Sequence, residues 1–357
     1  MKILVVGNEP GGMYRFRIDL IRELLKNNNV VVLVPDGEFV EEMKNEGCEF
    51  YDTPVDRRGI NPLNDLKLLF LYRRIIKNEK PDLVITYTIK PNIYCGLVCK
   101  HKKISYASNI TGLGTTFQNE NVVKKLVTLL YKLALKKSKV IFFENSENRD
   151  IFVSEGIVKQ EKTFLLNGAG VNLTHYSYRD YPKNSFTNFL FIGRIMAEKG
   201  FDELISAMRM LVADGCNAFL SVVGFCEEAY EDKLKECAEE GWLKFYGQQQ
   251  DVRPFIEQCH CFVLPSWHEG MANTNLECAS MGRPVITSNI HGCMEAIEDG
   301  VTGFLCDKQN AKDLYLKMKQ IVFMPYDDLK AMGVAGRKHM EELFDKNKVV
   351  EATVNKL

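Results

Sequence analysis

One pattern, used twice, constrains the fold more than anything else in the chain. A short apolar run reaches a glycine, a helix-period stretch follows, and a second apolar run closes the unit. Lys2–Gly7 leads through a loop with Gly11 and Gly12 to a helical pattern at Phe16, Leu20, Leu24 and Leu25, and then to Val30–Val34. The pattern restarts at Phe189–Ile192, with a loop over 193–200, helical Leu204, Ile205, Met208 and Leu211, and then Phe219–Val223. Strand, crossover helix and strand in this order give parallel pairing, because a parallel pair cannot be joined by a tight turn. Domains run to roughly 100 to 200 residues, so 357 residues with two such starts predict an α/β chain of two facing, doubly wound, Rossmann-like domains with a cleft between them.

The pattern breaks between Asn167 and Tyr181, which sets the boundary near residue 171. The first domain is expected over 1–170 and the second over 171–340, with a C-terminal helix over 341–357 packing back on the first. Further strands are legible at Phe50–Tyr51, Leu83–Thr86, Ile104–Ala107, Val140–Phe143, Leu243–Tyr246, Cys261–Leu264 and Pro284–Thr287, with a turn at Gly300–Gly303. Helical patterns cover Asn64–Asn78, Val122–Lys139, Glu227–Glu240, Ala311–Ile321 and Tyr326–Val350. The loops Thr86–Pro91 and Asn109–Thr116 each follow a strand. Ligands in open α/β sheets sit outside the carboxyl ends of strands, so these loops and Gly11-Gly12 should share one crevice. The spacing of Gly7, Gly11 and Gly12 does not fit the dinucleotide fingerprint, which leaves Asp36 a weak match for a ribose-binding acid.

Charge separates the halves. The net charge of −1 conceals 26 Lys and Arg against 20 Asp and Glu in residues 1–170, and hence an acidic remainder. Residues 122–139 carry Lys124, Lys125, Lys132, Lys136, Lys137 and Lys139 with no acid, beside Val122, Leu126, Leu130 and Leu133. Two readings stand: a solvated basic face of a core helix, or a helix lying on an anionic membrane surface. Eleven scattered cysteines read as reduced core thiols of a cytosolic protein. No signal-peptide core or bilayer-spanning apolar run is present, so the chain is expected in the cytoplasm.

The chemistry concentrates in Ser266–Glu277. The apolar run Cys261–Leu264 ends at Pro265, a glycine-containing loop follows, and a helical pattern begins. Glu269 lies in the loop and Glu277 one turn into the helix, flanking a helix N-terminus that suits an anion. Acids beside an anion site fit a ligand that carries both hydroxyls and phosphate, such as a nucleotide sugar. Arg194 and Lys199, five residues apart on the loop after Phe189–Ile192, could neutralise a diphosphate, although surface cations are common. No Asp-x-Asp occurs, so a divalent cation has no obvious ligands.

Gly193-Arg194 with Glu198-Lys199-Gly200, then Glu269-Gly270 and Glu277, resemble the family 4 retaining glycosyltransferases of GT-B fold, whose signature is two Glu separated by seven residues. Thr88–Asn92, Ile110–Gly114 and Glu269–Asn273 are similar to bacterial enzymes that extend sugars on undecaprenyl diphosphate for glycans, capsules and O-antigens, N-acetylgalactosaminyltransferases above all. The resemblance implies a retaining hexosyltransferase that uses a UDP-sugar, with no cofactor and no metal. Arg194 and Lys199 would hold the donor diphosphate, Glu269 the sugar hydroxyls and Glu277 the ribose. The backbone of Gly193 and of Gly270, Met271, Ala272 and Asn273 would face the donor, and Gly247 with Asp251, Val252 and Arg253 would edge the base. Many family members have a histidine near the reacting sugar where this chain has Asn109-Ile110-Thr111.

A polyprenyl-diphosphate-linked acceptor would meet Gly11, Gly12, Arg15, Arg17, Lys90, Asn109 and Thr111. The enzyme would sit peripherally on the inner face of the cytoplasmic membrane, with no nucleic-acid partner. Attack on the face that the diphosphate leaves would retain configuration, and a double displacement through Glu269 competes with it. A nucleotide-sugar epimerase or hydrolase on the same scaffold, or a non-catalytic nucleotide-binding module, remain the alternatives.

Overall fold

The structure, a computed structural model, describes residues 1–56, 59, 61–114, 117, 122–183 and 185–357. Thr115 and Thr116 of the expected 109–116 loop lie outside the described residues. Contacts divide the chain into two units, Met1–Ala169 with Asn347–Leu357, and Gly170–Lys346.

In the first unit the order is β1 (Lys2–Val6), α1 (Pro10–Leu25), β2 (Asn29–Val34), α2 (Val40–Asn45), β3 (Glu49–Asp52), α3 (Pro62–Glu79) and β4 (Leu83–Tyr87). A π-turn at Pro91–Cys95 leads into α4 (Gly96–Lys102), and β5 (Ser105–Ile110), α5 (Val122–Leu135), β6 (Val140–Phe143), α6 (Ser146–Ser154) and β7 (Thr163–Leu165) follow. The strands form one parallel sheet in the order β3-β2-β1-β4-β5-β6-β7. A sheet covered on both faces needs apolar side chains on both sides, which is why its strands do not alternate. Val5, Val30 and Val32 pack with α1 and α2, whereas Leu4, Val31 and Leu33 pack with α3 and α4.

The second unit runs β8 (Thr187–Ile192), α7 (Phe201–Ala213), β9 (Ala218–Val223), α8 (Glu231–Glu239), β10 (Leu243–Phe245), α9 (Arg253–Gln258), β11 (Cys261–Leu264), α10 (Asn273–Ser280), β12 (Val285–Ser288), β13 (Gly303–Cys306), α11 (Ala311–Phe323) and α12 (Tyr326–His339). Its sheet is also parallel, in the order β10-β9-β8-β11-β12-β13, around a single core. The turn at Gly300 opens β13, a strand that the sequence does not announce.

Three expected elements differ. The helix expected over Tyr326–Val350 is interrupted: a π-turn takes Met340–Phe344, Asp345 is extended, and α13 (Lys346–Val354) resumes beyond it. The cause is pairing with Val171, whose N–H donates to the Phe344 carbonyl at 2.8 Å and whose carbonyl accepts from Lys346 N at 3.1 Å. Val350, Val354 and Leu357 then pack on the α1 side of the first sheet. The helix expected over Val122–Lys139 ends at Leu135, because Tyr106 takes over the hydrogen bonding: Lys139 N donates to its carbonyl at 2.8 Å and Ser138 Oγ at 3.2 Å. On α5 the buried residues are Tyr131, Ala134 and Leu135, while Val122, Leu126 and Leu133 face outward. The charged helix expected from Glu227 starts at Glu231.

Candidate active site

The second unit gathers the residues expected at the donor at the carboxyl edge of its sheet, where the loops after β8, β9 and β10 are tied to one another. Gly193 N donates to Val223 O at 3.0 Å, Gly224 N to Gly247 O at 3.0 Å, and Ile195 N to Phe225 O at 2.9 Å. Gly224 has φ +146, and a Cβ there would stand 1.8 Å from the Gly193 carbonyl oxygen, so only glycine lets these loops meet. The loop after β8 also closes on the loop after β11. Gly200, at φ +69, would bring a Cβ to 2.0 Å from the Pro265 carbonyl oxygen, and Trp267 N donates to Glu198 O at 2.9 Å.

That closure sets Lys199 on Glu269, and the two form a hydrogen-bonded ion pair with little exposure on either side. Ser266 Oγ donates a second bond to the same carboxylate oxygen at 2.8 Å. Burial pushes the Glu269 carboxyl up, but the charge and hydrogen bond of Lys199, helped by Ser266, outweigh it and hold the group below the ordinary glutamate value. An ammonium has three donors, so Lys199 keeps two beyond the one given to Glu269. Arg194 lies nearby in sequence and is 40% exposed, with Nη1 on Glu227 Oε2 at 2.6 Å.

Beyond Glu269, the segment Gly270–Ala272 is anchored by Ala272 N donating to Gly292 O at 2.7 Å, and α10 starts at Asn273 with no side-chain cap. Asn275 N turns back to the Ala272 carbonyl at 3.0 Å, so the N–H groups of Asn273 and Thr274 are the ones that start the helix at the same edge as Glu269. Glu277 lies one turn in and takes a hydrogen bond from the Tyr176 phenol, which burial and this carboxylate both hold in its protonated form. Asp251 and Arg253 are spent mainly on each other: Nη2 meets Oδ2 at 2.7 Å and Nε meets Oδ1 at 2.8 Å. Val252 between them is partly buried against the core.

The first unit treats its expected acceptor residues less simply. Instead of facing a diphosphate, the amides of Gly11 and Gly12 donate to the Glu9 carboxylate at 2.8 and 2.5 Å, because Glu9 caps α1. Arg17 turns inward, pairing with buried Glu144 and lying 4.7 Å over the Tyr87 ring. Asn109, expected at the ligand, is buried, and its amide donates to Thr86 O at 3.2 Å within a network that includes Asn92 and Ser108. Lys90 Nζ holds Asp65 at 2.7 Å and the Gly59 carbonyl at 2.8 Å. Arg15 is exposed, 5.1 Å from the Phe39 ring, and Thr111 is half-buried at the end of β5.

Several side chains of the second-unit edge escaped the sequence reading. Ser266 stands three residues before Glu269, a signal that could have been used. Glu227 and Tyr176 are remote from the residues they hold and gave none. On the loop after β12, His291 Nδ1 contacts Glu295 Oε1 at 2.8 Å while Glu295 Oε2 accepts from Gly292 N at 2.7 Å, so the carboxylate fixes both the imidazole and the loop bonded to Ala272. All eleven cysteines are free, and nine are buried.

Residues 187–322 match the family model described as glycosyl transferases group 1, and residues 2–145 match the one described as glycosyl transferase 4-like. The chain is 27% identical over 340 residues to the N,N'-diacetylbacillosaminyl-diphospho-undecaprenol alpha-1,3-N-acetylgalactosaminyltransferase of Campylobacter jejuni, covering 90% of this chain and 89% of that one. It is 24% identical to the UDP-Gal:alpha-D-GlcNAc-diphosphoundecaprenol alpha-1,3-galactosyltransferase of Escherichia coli, over 80% of this chain and 78% of the relative. Among solved structures it is similar to Anabaena HepE in complex with UDP and glucose, with a TM-score of 0.82 at 17% identity, covering 99% of this chain and 98% of HepE.

Proposed function

This chain belongs to the glycosyltransferases of GT-B fold, and from that premise we propose that it moves a sugar from a UDP-sugar to a saccharide carried on undecaprenyl diphosphate. We take the sugar to be an N-acetylhexosamine such as N-acetylgalactosamine. The relatives' names support the acceptor class, and the observation that carries the donor side is the Lys199–Glu269 pair beside the uncapped start of α10.

In this reading Glu269 accepts hydrogen bonds from sugar hydroxyls and Glu277 from the ribose. Arg194, the two spare donors of Lys199 and the α10 amides meet the diphosphate. The bond from the anomeric carbon to the diphosphate oxygen breaks, the acceptor oxygen bonds to the same face of that carbon, and its proton passes to the departing diphosphate. Configuration is retained. Charge develops on the leaving oxygen, so fixed donors aimed there lower the barrier. With that charge carried by side chains and backbone, turnover should persist in a chelator. On the first unit, Arg15, Lys90 and Thr111 at the carboxyl edge are proposed to meet the acceptor.

A lipid-tethered acceptor also fits a peripheral place on the inner face of the cytoplasmic membrane. The outward side of α5 supports it, with Leu126 54% and Leu129 53% exposed among Lys125 and Lys132. Among the described residues, no helix is long and apolar enough to cross a membrane.

The test is UDP release by wild type, Lys199→Ala and Glu269→Ala, with and without a lipid-linked acceptor. Transfer requires acceptor-dependent release that both substitutions reduce. Release without acceptor points to a hydrolase or epimerase, and wild-type turnover in both variants would overturn the site.

A further inference from the structure

The α5 surface has a counterpart on α3, where Leu63 is 68% exposed, Leu66 49% and Phe70 54%. Leu63, Leu66, Phe70, Arg73 and Lys77 are spaced by three and four residues, so they line one stripe of the helix. On α5, Val122, Leu126, Leu129, Leu133 and, just past the helix end, Lys136 repeat the spacing. Each stripe is apolar where the helix begins and cationic where it ends. Lys67 and Arg74 flank the first stripe, Lys125 and Lys132 the second, and all four are exposed.

The two helices share a layer. α4 packs between α3 and α5, and the π-turn at Pro91–Cys95 touches both. Along α3, α4 and α5 the acids are Asp65 and Glu79, and both are engaged in ion pairs, with Lys90 and Lys2. α3 follows β3 and α5 follows β5, so each crossover helix starts at the carboxyl edge of the same parallel sheet and runs back along it. The apolar ends of both stripes therefore flank the edge where Lys90 and Thr111 sit. Beside the α5 stripe is a cavity of about 260 Å³ lined by Lys124, Lys125, Thr128, Leu129, Lys132 and Glu155, in which Lys124 pairs with Glu155 at 3.1 Å while Lys125 and Lys132 are exposed at its rim.

We infer that α3 and α5 together form a two-helix face that docks on an anionic phospholipid surface, with Leu63, Leu66 and Phe70 as its second apolar wing. The inference rests on the peripheral-membrane part of the proposed function and extends it to a helix that the sequence did not single out. An exposed apolar stripe bordered by cations and lacking free acids is the signature of a helix lying in a lipid interface, with the basic groups at the headgroups. Two such wings fix the tilt of the unit, which one helix cannot do, and hold its carboxyl edge at the lipid phosphates.

The test is co-sedimentation of the full chain with vesicles of phosphatidylcholine containing phosphatidylglycerol, at low salt. The variants are Leu66→Ser with Phe70→Ser on α3, Arg73→Glu with Arg74→Glu on α3, and Leu126→Ser with Leu129→Ser on α5. Each apolar pair should lower partitioning at least about tenfold. The charge reversal should lower it by about fivefold or more per site, and only on vesicles containing phosphatidylglycerol. Turnover on a short-chain, water-soluble acceptor analogue should stay at wild type in all three, which shows an intact fold.

If the α3 variants partition like wild type while the α5 pair falls, the two-wing face is wrong and the single-helix reading stands. If the wild type ignores the vesicles, both are wrong. If Phe70→Ser instead breaks up a dimer seen by light scattering and leaves vesicle binding intact, the wing is a protein interface and the inference fails. Vesicle binding without turnover of the soluble analogue would support the face and count against the transferase reading.

Discussion

Lys199 and Glu269 are seventy residues apart in sequence, and each neutralises the other in a place with little water. Removing Lys199 deprives a nearly buried carboxylate of its cation and removing Glu269 deprives the ammonium of its anion, each costing about 3 kcal/mol of stability, so the double variant should lose less than the sum of the Lys199→Ala and Glu269→Ala losses. On turnover Lys199→Ala should cost about 10²–10³ in kcat, the usual loss when a fixed donor to a developing anion is removed, and Glu269→Ala should lower turnover by removing the acceptor for the sugar hydroxyls and the group that positions Lys199. Gly200→Ala tests how the pair is placed. A Cβ 2.0 Å from the Pro265 carbonyl, at φ +69, forces the two loops apart and should lower stability by about 2–3 kcal/mol while raising the KM for donor.

His260 makes a pH prediction at the same scale. Burial first, and then the nearby Arg283 charge, push its imidazole down to about 4, while Nδ1 accepts from Asn188 N at 3.0 Å. The unfolded chain takes up a proton near pH 6.5 that the folded chain refuses until about pH 4. Stability should therefore be flat above about pH 6.5 and fall as the pH drops toward 4. His260→Asn keeps an acceptor for Asn188 and should flatten that slope in melting curves taken across the window.

At the scale of elements, α13 belongs by packing to the unit that the chain left at residue 169. Val349 is buried against β5 and β6, and Val350, Val354 and Leu357 cover the α1 side of the sheet. Removing residues 347–357 should destabilise the first unit by several kcal/mol, at about 25 cal/mol per Å² of apolar surface exposed, and leave the second unit's melting in place. Helix period made the existence of this segment legible, and the break at Asp345 was not. Nothing local stops a helix there; the backbone of Val171, from the other end of the second unit, takes the hydrogen bonds instead. The outward leucines of α5 follow the same logic, since periodicity finds a stripe but not which side the sheet covers.

Across the whole molecule, each unit has its own sheet and its own core, so unfolding should not be two-state. Calorimetry is expected to resolve two transitions, and UDP should raise the second unit's alone, by about 2.7 kcal/mol at a hundred times its dissociation constant. A shift of the first unit's transition instead would move the donor site out of the residues proposed for it.

The sequence by itself determined the repeated strand and helix order, because a parallel sheet covered on both faces forces continuous apolar strands and amphipathic crossovers. It also determined the chemical types near residues 194–199 and 269–277, because strand-to-helix loops after glycine are where open sheets bind ligands. Tertiary structure alone decided which of those charges remain available. Lys199 meets Glu269 because two glycine-permitted loops touch, whereas Arg17 and the Gly11 and Gly12 amides are already satisfied by Glu144 and Glu9. A charge takes its role from its nearest partner in space, and for Lys199, Arg194 and Arg17 that partner is remote along the chain.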